Sequence, residues 1–353
     1  MLKKYVSLFL LVLLLFNACE EPIKDDTVKY DFNIWVLNEG LWNMNNSSIT
    51  GYHSETKKLS SDFFMQENGR GLGDVANDMI IYGSKAYVAV SVSSLIEVFN
   101  VYTGKSIRQI PLKNEQGVNR QVRCLASHNA KVYACCFDGT LLKIDSNTLT
   151  VEDIVKAGEN PDGICVVNNK LYVSNSGGLN FPNYDSTVSV FDINSFKEIK
   201  KIKVAINPRL MKVNNKGELF VLSQGNYTEV PPRLQKINTK EDVLVKTYDF
   251  HASYFDVYNE FLYFYYIDNA NSSFHLQVFN WQTETMHSNS FIKDNINIKT
   301  PYALNINPKD GSIFIADALD YQTKGDVYCL DKNGKLKYGF EANICPKKIL
   351  FLE

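Results

Sequence analysis

A short pattern of a small or basic residue, an apolar residue, an aromatic residue and another apolar residue recurs along the chain. It reads "KAYVAV" from Lys85, "KVYACC" from Lys131, "KLYVSN" from Lys170, "ELFVLS" from Glu218, "FLYFYY" from Phe261 and "SIFIAD" from Ser312. The central aromatic residues are Tyr87, Tyr133, Tyr172, Phe220, Tyr263 and Phe314, with spacings of 46, 39, 48, 43 and 51 residues. Self-similarity at this spacing indicates a repeated supersecondary unit.

Three further predicted strands surround each of these segments. A strand often opened by proline precedes it, as in "NPDGICVV" from Asn160 and "TPYALNI" from Thr300. An alternating strand that ends near an Asp or Asn follows it, as in "TVSVFDINSF" from Thr187, and then a weaker fourth strand, as in "EIKKIKV" from Glu198. Four antiparallel strands every ~40 to 50 residues are typical of a β-propeller blade.

The two ends of the chain complete each other. The last residues, "CPKKILFLE", match a proline-led first strand with no second strand after it, whereas "NIWVLNEG" from Asn33 is a second strand with no first. We therefore predict an all-β fold over residues 31–353: a seven-bladed β-propeller of four-stranded antiparallel blades, closed by N- and C-terminal strands that share one blade. Six blades are the alternative, if one long spacing hides an irregular blade.

The N-terminal 18 residues have the pattern of a secretory leader. Lys3 and Lys4 precede an apolar stretch that is too short to span a bilayer. Cys19 follows Ala18, and acidic residues come directly after it, which resembles the signal of a surface-exported Bacteroidetes lipoprotein. The interpretation is a lipidated Cys19, a flexible tether over residues 19–30, and a location on the outer membrane, exposed at the cell surface. Ordinary secretion with an incidental Cys19 is the alternative.

Composition and charge narrow the class of protein. Hydrophobic residues make up 45% of the 353 residues and aromatic residues 12%, which excludes global disorder. The 37 basic and 39 acidic side chains give a net charge of -2, and the mature chain has no long basic run, so nucleic acid is not an expected partner.

Six cysteines follow Cys19, without a metal-binding spacing. Cys124 and the pair Cys135–Cys136 flank a predicted hairpin turn, and only one of that pair could face Cys124 because neighbouring strand residues point to opposite faces. Buried free thiols are the favoured interpretation, and a cross-strand disulfide is the alternative.

The loops from second to third strands, and those that lead into first strands, should gather on one face of a propeller, where ligands normally bind. Trp42 follows the apolar run 34–37 and lies among small polar residues, which indicates an aromatic side chain presented on that face. The candidate ligand-binding residues are Trp42, Asn43, Asp74, Arg120, Asp162, Asn175, Phe181, Tyr184, Arg209, Tyr227, Tyr254, Tyr302 and Tyr321. For any one of them, packing, turn formation or pairing with a neighbouring blade is the alternative role.

Enzyme motifs are sparse. The chain has no GxSxG, no HExxH and no Gly-rich phosphate loop, and its five histidines lack a metal-ligand spacing. The prediction is a non-enzymatic protein with no catalytic residues, no bound metal and no cofactor. Some propellers hydrolyse lactones with a metal held by Glu, Asn and Asp, and Glu39, Asn175 and Asp317 are the nearest candidates for that alternative.

Four segments together resemble the YncE-like seven-bladed propeller lipoproteins of Bacteroidetes: "NEGLWNMNNSSITGYHSETKKL", "NGRGLGDVANDMIIYGSKAYV", "NPDGICVVNNKLYVSNSGGLNFPNYDSTVSVFD" and "INPRLMKV". Among the members of this family, the BtuG-like surface lipoproteins capture vitamin B12. The resemblance implies cobalamin as a transported ligand on the loop face, with no cobalt ligand from the protein, and a TonB-dependent outer-membrane transporter as partner. A glycan ligand, a purely protein-binding role and metal-dependent hydrolysis are the other hypotheses.

Overall fold

The computed structural model describes residues 31–268, 270–287 and 291–352. The predicted leader, the lipidation site Cys19 and the tether therefore lie outside the described residues. No helix in the described part of the chain is long and apolar enough to cross a membrane.

Seven four-stranded antiparallel sheets form the blades of a β-propeller, as predicted. Blade 1 contains β1 (Ile34–Asn38), β2 (Ser48–Tyr52) and β3 (Leu59–Ser60). In blades 2 to 7 the four strands follow one another in chain order. Blade 2 contains β4 (Ala76–Tyr82), β5 (Lys85–Val90), β6 (Leu95–Asn100) and β7 (Ser106–Pro111); blade 3 contains β8 (Val122–His128), β9 (Lys131–Cys136), β10 (Thr140–Asp145) and β11 (Val151–Lys156); and blade 4 contains β12 (Pro161–Val167), β13 (Lys170–Asn175), β14 (Thr187–Asp192) and β15 (Lys197–Lys203). Blade 5 contains β16 (Pro208–Val213), β17 (Leu219–Ser223), β18 (Arg233–Asn238) and β19 (Val243–Thr247); blade 6 contains β20 (Tyr254–Tyr258), β21 (Phe261–Asp268), β22 (Ser273–Asn280) and β23 (Thr285–Met286); and blade 7 contains β24 (Pro301–Ile306), β25 (Ile313–Asp317), β26 (Lys324–Leu330) and β27 (Leu336–Ile344).

The C-terminal strand closes the ring. β28 (Pro346–Phe351) is the first strand of blade 1 and pairs antiparallel with β1, with Val36 opposite Ile349 and Ile34 opposite Phe351. Both predictions about closure are confirmed: the terminal strands share a blade, and the blades number seven rather than six. Because β1 pairs with β28 on one side and with β2 on the other, blade 1 has four strands like the other blades.

The repeated aromatic residue of each second strand has a structural role, because it contacts the next blade. The Tyr133 ring lies 5.9 Å from the ring of Phe196, and the Phe220 ring lies 5.9 Å from that of Trp281. The Tyr172 hydroxyl donates to the carbonyl oxygen of Thr239 over 3.1 Å. These contacts between blades explain why the strand pattern recurs with an aromatic at its centre.

One short helix was not predicted. α1 (Phe63–Asn68) lies between β3 and β4, capped by Asp62, whose carboxylate accepts from the Met65 N–H over 3.1 Å. Phe64 is buried, and the ring of Phe63 lies 4.9 Å from that of Trp35. Six residues are too few to display a helical period in a sequence.

All six cysteines of the described residues are free thiols; four are buried, and Cys124 and Cys165 are half-buried. Cys124 lies directly opposite Cys135 in the β8–β9 register, and Cys136 belongs to a different core cluster. Burial raises the pKa of the Cys136 thiol to about 12.

Candidate ligand-binding face

A β-bulge near the start of the first strand recurs in six of the seven blades. In β12, for example, Pro161 pairs with Asn175 but Gly163 pairs with Ser174, so Asp162 is the extra residue. A bulge leaves one residue out of the ladder and redirects its side chain. The six bulge residues, which we call the bulge ring, are Lys347, Asn77, Arg123, Asp162, Arg209 and Tyr302 in blades 1, 2, 3, 4, 5 and 7.

Asp162 joins three blades within the bulge ring. Its carboxylate accepts from Nε of Arg123 over 2.8 Å and also pairs with Nε of Arg209. The Arg123 guanidinium in turn lies 4.3 Å from the centre of the Phe137 ring. Burial opposes ionisation of Asp162, but the two arginines outweigh it and lower its pKa from 3.8 to about 2.

Glu39 is the centre of a second network on the other side of the ring. Its carboxylate accepts from the Lys347 ammonium over 2.6 Å and from the Tyr302 hydroxyl. The same ammonium donates to Oδ1 of Asn77 over 2.8 Å. Burial opposes ionisation of Glu39, yet Lys347 and Tyr302 lower its pKa below the ordinary value. Charges at the mouth of the channel are thus paired rather than free.

An aromatic patch, formed by Phe181, Tyr184 and Tyr227, continues outward from Arg209. Nη1 of Arg209 lies 3.4 Å from the Tyr227 hydroxyl. The Tyr227 and Tyr184 rings are 6.3 Å apart, and the Tyr184 and Phe181 rings 6.1 Å apart, both edge to face. Phe181 is 71% exposed and Tyr227 63% exposed. The structure therefore brings four predicted residues of two blades into one exposed surface.

Trp42 and Tyr321 also lie exposed on this face, in loops of blades 1 and 7. Trp42 is 63% exposed, and the ring of Tyr321 lies 5.8 Å from that of Tyr302, edge to face. The exposed large apolar side chains of the loops on this face are Trp42, Met44, Val118, Leu179, Phe181, Tyr227, Val230 and Tyr321. The turns of the opposite face contribute Tyr102 to the same class. The loop face thus carries more exposed large apolar side chains in its loops than the turns of the opposite face do.

Other predicted residues support the loops. Asp74 is buried and accepts from the Asn43 N–H over 3.1 Å, which fixes the loop that carries Trp42. Arg120 pairs with Asp138 over 2.8 Å within blade 3.

Tyr254 belongs to blade 6, whose first strand has no bulge in its pairing register. Its ring stacks on that of Tyr265, with 5.9 Å between centroids. Burial raises the pKa of the Tyr254 phenol to about 12. The side chain therefore lies within the packed wall of the channel rather than beside the aromatic patch.

Asn175 does not lie on the surface of the face. Its side chain is fully buried, donates to the hydroxyls of Thr187 and Ser189 over 2.9 Å each, and accepts from the Gly158 N–H over 2.9 Å. Every polar atom of the amide is thus used by the protein itself. The structure gives Asn175 a supporting role instead of the predicted contact with a ligand.

The residues considered for a metal-dependent hydrolase are engaged elsewhere. Asp317 is fully buried and accepts from the backbone N–H groups of Lys299 and Thr300 over 2.8 and 2.7 Å. The side chains of Asn175 and Glu39 are engaged in the hydrogen bonds and the ion pair described above. Among residues 31–268, 270–287 and 291–352, no group of three or more His, Cys, Asp or Glu side chains could hold a metal ion.

Sequence reasoning missed Lys347, Asn77 and Arg123 as members of the bulge ring. Lys347 follows Pro346 just as Asp162 follows Pro161, so the proline-led motif could have identified it. Asn77 and Arg123 lack the proline. Ion pairs also line the channel beyond the ring, between Lys348 and Asp78 and between Lys212 and Asp256.

Comparison with known proteins supports the fold alone. No family model matches the sequence, and no curated protein matches it. A quinoprotein alcohol dehydrogenase-like protein from Bacteroides thetaiotaomicron is 15% identical, with a TM-score of 0.64, over 90% of this chain and 78% of that one. Kuenenia stuttgartiensis hydrazine synthase is 15% identical, with a TM-score of 0.61, over 73% of this chain and 77% of that one. The computationally designed Ika8 protein is 10% identical, with a TM-score of 0.55, over 77% of this chain and 88% of that one.

Proposed function

We propose that the protein captures a small molecule on its loop face, and that this ligand is cobalamin (vitamin B12), which the protein passes to a TonB-dependent transporter. The observation that carries the proposal is the exposed aromatic patch beside Arg209, at the edge of the charge-paired bulge ring. In this proposal the protein is a non-enzymatic lipoprotein, anchored to the outer-membrane surface through Cys19.

The chemistry of the face suits a large, neutral, polar ligand. The flat apolar faces of a corrin can pack on Phe181 and Tyr227, while its amide side chains can pair with the Tyr184 hydroxyl and the Arg209 guanidinium. The charges of Glu39 and Asp162 are already paired within the protein, so a neutral ligand leaves no buried charge without a partner. Cobalt itself needs no ligand from the protein in this mode.

The proposed transporter contact uses the same face. Trp42 and Met44 are exposed in blade 1 and Tyr321 in blade 7, away from the aromatic patch of blades 4 and 5. Aromatic residues and Met are enriched in protein interfaces. One face could therefore hold a ligand over blades 4 and 5 and a protein partner over blades 7 and 1.

Calorimetric titration with cyanocobalamin, together with its absorption spectrum, tests the proposal on the propeller from about Lys29 onward. We expect a complex that shifts the corrin spectrum, and a loss of affinity of about tenfold or more for Tyr227→Ala and for Phe181→Ala, since exposed aromatic anchors dominate binding energy. Tyr102→Ala is the matched control, because Tyr102 is a 54% exposed tyrosine on the opposite face. No heat and no spectral shift with several cobamides would end the cobalamin proposal.

A glycan is the second candidate ligand, because the loop that carries Phe181 also presents the exposed amides of Asn180 and Asn183. Rings flanked by amides suit the apolar faces and hydroxyls of a sugar. A thermal-shift screen against oligosaccharides and cobamides distinguishes the two, since a bound ligand raises the melting temperature by mass action. Analysis of the purified protein for divalent metal tests the remaining hypothesis of metal-dependent hydrolysis.

A further inference from the structure

A pocket opens on the face opposite the loop face, at the seam between blades 7 and 1. Its volume is about 420 Å³. Its walls come from the β24–β25 turn, the β2–β3 turn, β27 and the outer ends of β1 and β28. We call it the seam pocket, and the side chains that define it are Lys57, Lys309, Lys337, Phe314, Tyr338 and Phe351.

The corresponding place at two other seams is filled. In the turn between the third and fourth strands of blades 4 and 5, a residue with positive φ reaches the central aromatic residue of the preceding blade. In blade 4 this residue is Phe196, which packs on Tyr133. In blade 5 it is Asp242, which accepts a hydrogen bond from the Tyr172 hydroxyl. Each of these seams is closed by a direct contact between the two blades.

At the seam of blades 7 and 1, Phe314 contacts the Phe351 ring of blade 1, and the turn residue contacts a different ring of blade 7. The equivalent turn residue is Lys57, with φ of 62°, and the central aromatic that faces it is Phe314, which has no hydroxyl to donate. The Lys57 ammonium instead donates to the Ser54 carbonyl oxygen over 2.6 Å and lies 4.4 Å from the centre of the Tyr338 ring. Both Lys57 and Phe314 therefore line a cavity at a place where Phe196 and Asp242 fill the seams before blades 4 and 5.

Among the described residues, three lysines and one carboxylate line the seam pocket. Asp310 is its one lining carboxylate within the described residues, and it accepts from the N–H and hydroxyl of Ser312 over 2.9 and 2.8 Å. Lys337 lies 3.6 Å from that carboxylate. In residues 31–352, apart from 269 and 288–290, no carboxylate lies within 4.0 Å of Lys57 or Lys309. The charges of Lys57 and Lys309 are thus not neutralised by a carboxylate of the described residues.

Aromatic rings form the inner wall. Phe314 and Phe351 have ring centres 4.9 Å apart, and Phe314 and Tyr338 have ring centres 6.4 Å apart, edge to face. A flat apolar body can pack on such rings, with its charged end at the lysines. A volume of about 420 Å³ lies in the range of small-molecule sites.

We propose that the seam pocket is a binding site for a small anion in which a carboxylate, sulfonate or phosphate group is attached to a planar apolar body. The anionic group lies among Lys57, Lys309 and Lys337, and the apolar body lies against Phe314 and Phe351. This proposal does not rest on the function of the loop face, because the two sites share no residue and lie on opposite faces.

Calorimetric titration of the purified protein with 2-naphthoate, and with its neutral analogue 2-naphthamide, tests the site. We expect 2-naphthoate to bind with one-to-one stoichiometry and 2-naphthamide at least about tenfold more weakly, because only the anion gains charge-assisted hydrogen bonds. Lys337→Gln should weaken 2-naphthoate binding about tenfold. Lys57→Phe should abolish binding, since it fills the pocket as Phe196 fills its own seam.

Two controls separate the site from general effects. Lys246 is an exposed lysine on β19, the outer strand of blade 5, where it pairs with Glu284. The variant Lys246→Gln should leave the affinity for 2-naphthoate unchanged. Tyr227→Ala, on the opposite face, should also leave it unchanged. Absence of binding at millimolar 2-naphthoate, equal affinity for the amide, or undiminished binding by Lys57→Phe would each overturn the proposal. If Lys57→Phe melts well below the parent protein, the affinity of Lys337→Gln decides the question alone.

Discussion

Asp162 shows how one side chain links the fold to the candidate site. It is a bulge residue of blade 4 and holds arginines from blades 3 and 5, of which Arg209 also contacts the aromatic patch through Tyr227. Arg209 can therefore present its remaining N–H groups to a ligand in a fixed direction. A ligand that binds there meets a guanidinium whose position is already determined by the protein.

The pKa of Asp162 predicts how stability depends on pH. Its pKa is about 2 in the folded protein and 3.8 ordinarily, so its ionised form stabilises the fold above about pH 4. This contribution, about 2 kcal/mol, is lost as the pH falls through about 2. Urea unfolding from about pH 5 to pH 2 measures it as a falling free energy of unfolding.

Asp162→Asn is the matched variant for that measurement. At neutral pH its free energy of unfolding should be about 3 kcal/mol lower, since both arginines lose the buried carboxylate that pairs with them. Its stability should then change less than that of the parent protein between about pH 4 and pH 2. An identical pH profile in both proteins would show that Asp162 does not carry the effect.

The sequence predicted individual site residues unevenly, and the reason is physical. Phe181 and Tyr227 are large apolar residues in polar loops, a context that itself indicates exposure, and both are exposed. Asn175 also looked like a loop residue, but it ends β13 and turns inward to bond three neighbours. Whether an amide at a strand end faces a ligand or the protein depends on loop atoms from distant parts of the chain, which a sequence pattern does not contain.

At the scale of the element, the first strands set the geometry of the face. A proline opens β12, β16, β24 and β28, and the next residue is displaced from the ladder by a bulge. The proline-led strands could be predicted from the sequence. The bulges could not, because they depend on the register with the second strand, and neither could α1, which is shorter than two helical turns.

Gly163→Ala tests the close approach of two first strands at the bulge. A Cβ at Gly163 would lie 2.1 Å from the Arg209 carbonyl oxygen and 2.6 Å from the Ser174 hydroxyl. Because backbone would have to move, we expect a loss of about 1–3 kcal/mol in the free energy of unfolding, and weaker ligand binding as Arg209 is displaced. Gly71→Ala is the control, since its nearest neighbour would be the Met65 side chain at 3.7 Å. Equal stability of the two variants would contradict this account.

At the scale of the whole molecule, the ring depends on a pairing between the two ends of the chain. The architecture could be predicted because each blade repeats the same apolar pattern and each end supplies what the other lacks. The seam pocket could not be predicted, since Lys57 and Phe314 line a cavity at a place where Phe196 and Asp242 close the seams before blades 4 and 5.

Removal of β28 should abolish the closed ring. A chain that ends at Cys345 exposes one edge of β1 and loses Ile349, which is buried in the core cluster of blades 7 and 1. We expect no single cooperative melting transition and a tendency to aggregate through the open edge. A chain that ends at Leu352 keeps all of β28 and should melt like the parent protein. Calorimetric melting distinguishes the two results.

Both ends of the propeller leave from the same side. β1 begins at Ile34 and β28 ends at Phe351, away from the loops, and the Leu352 N–H donates to the Asn33 carbonyl oxygen over 2.9 Å. An affinity tag at either end would therefore attach the protein to a sensor chip by the face opposite the loop face, so that Trp42, Phe181 and Tyr227 face the flowing solution. Single-molecule or kinetic capture assays can thus be built on this chain without redesign of its surface.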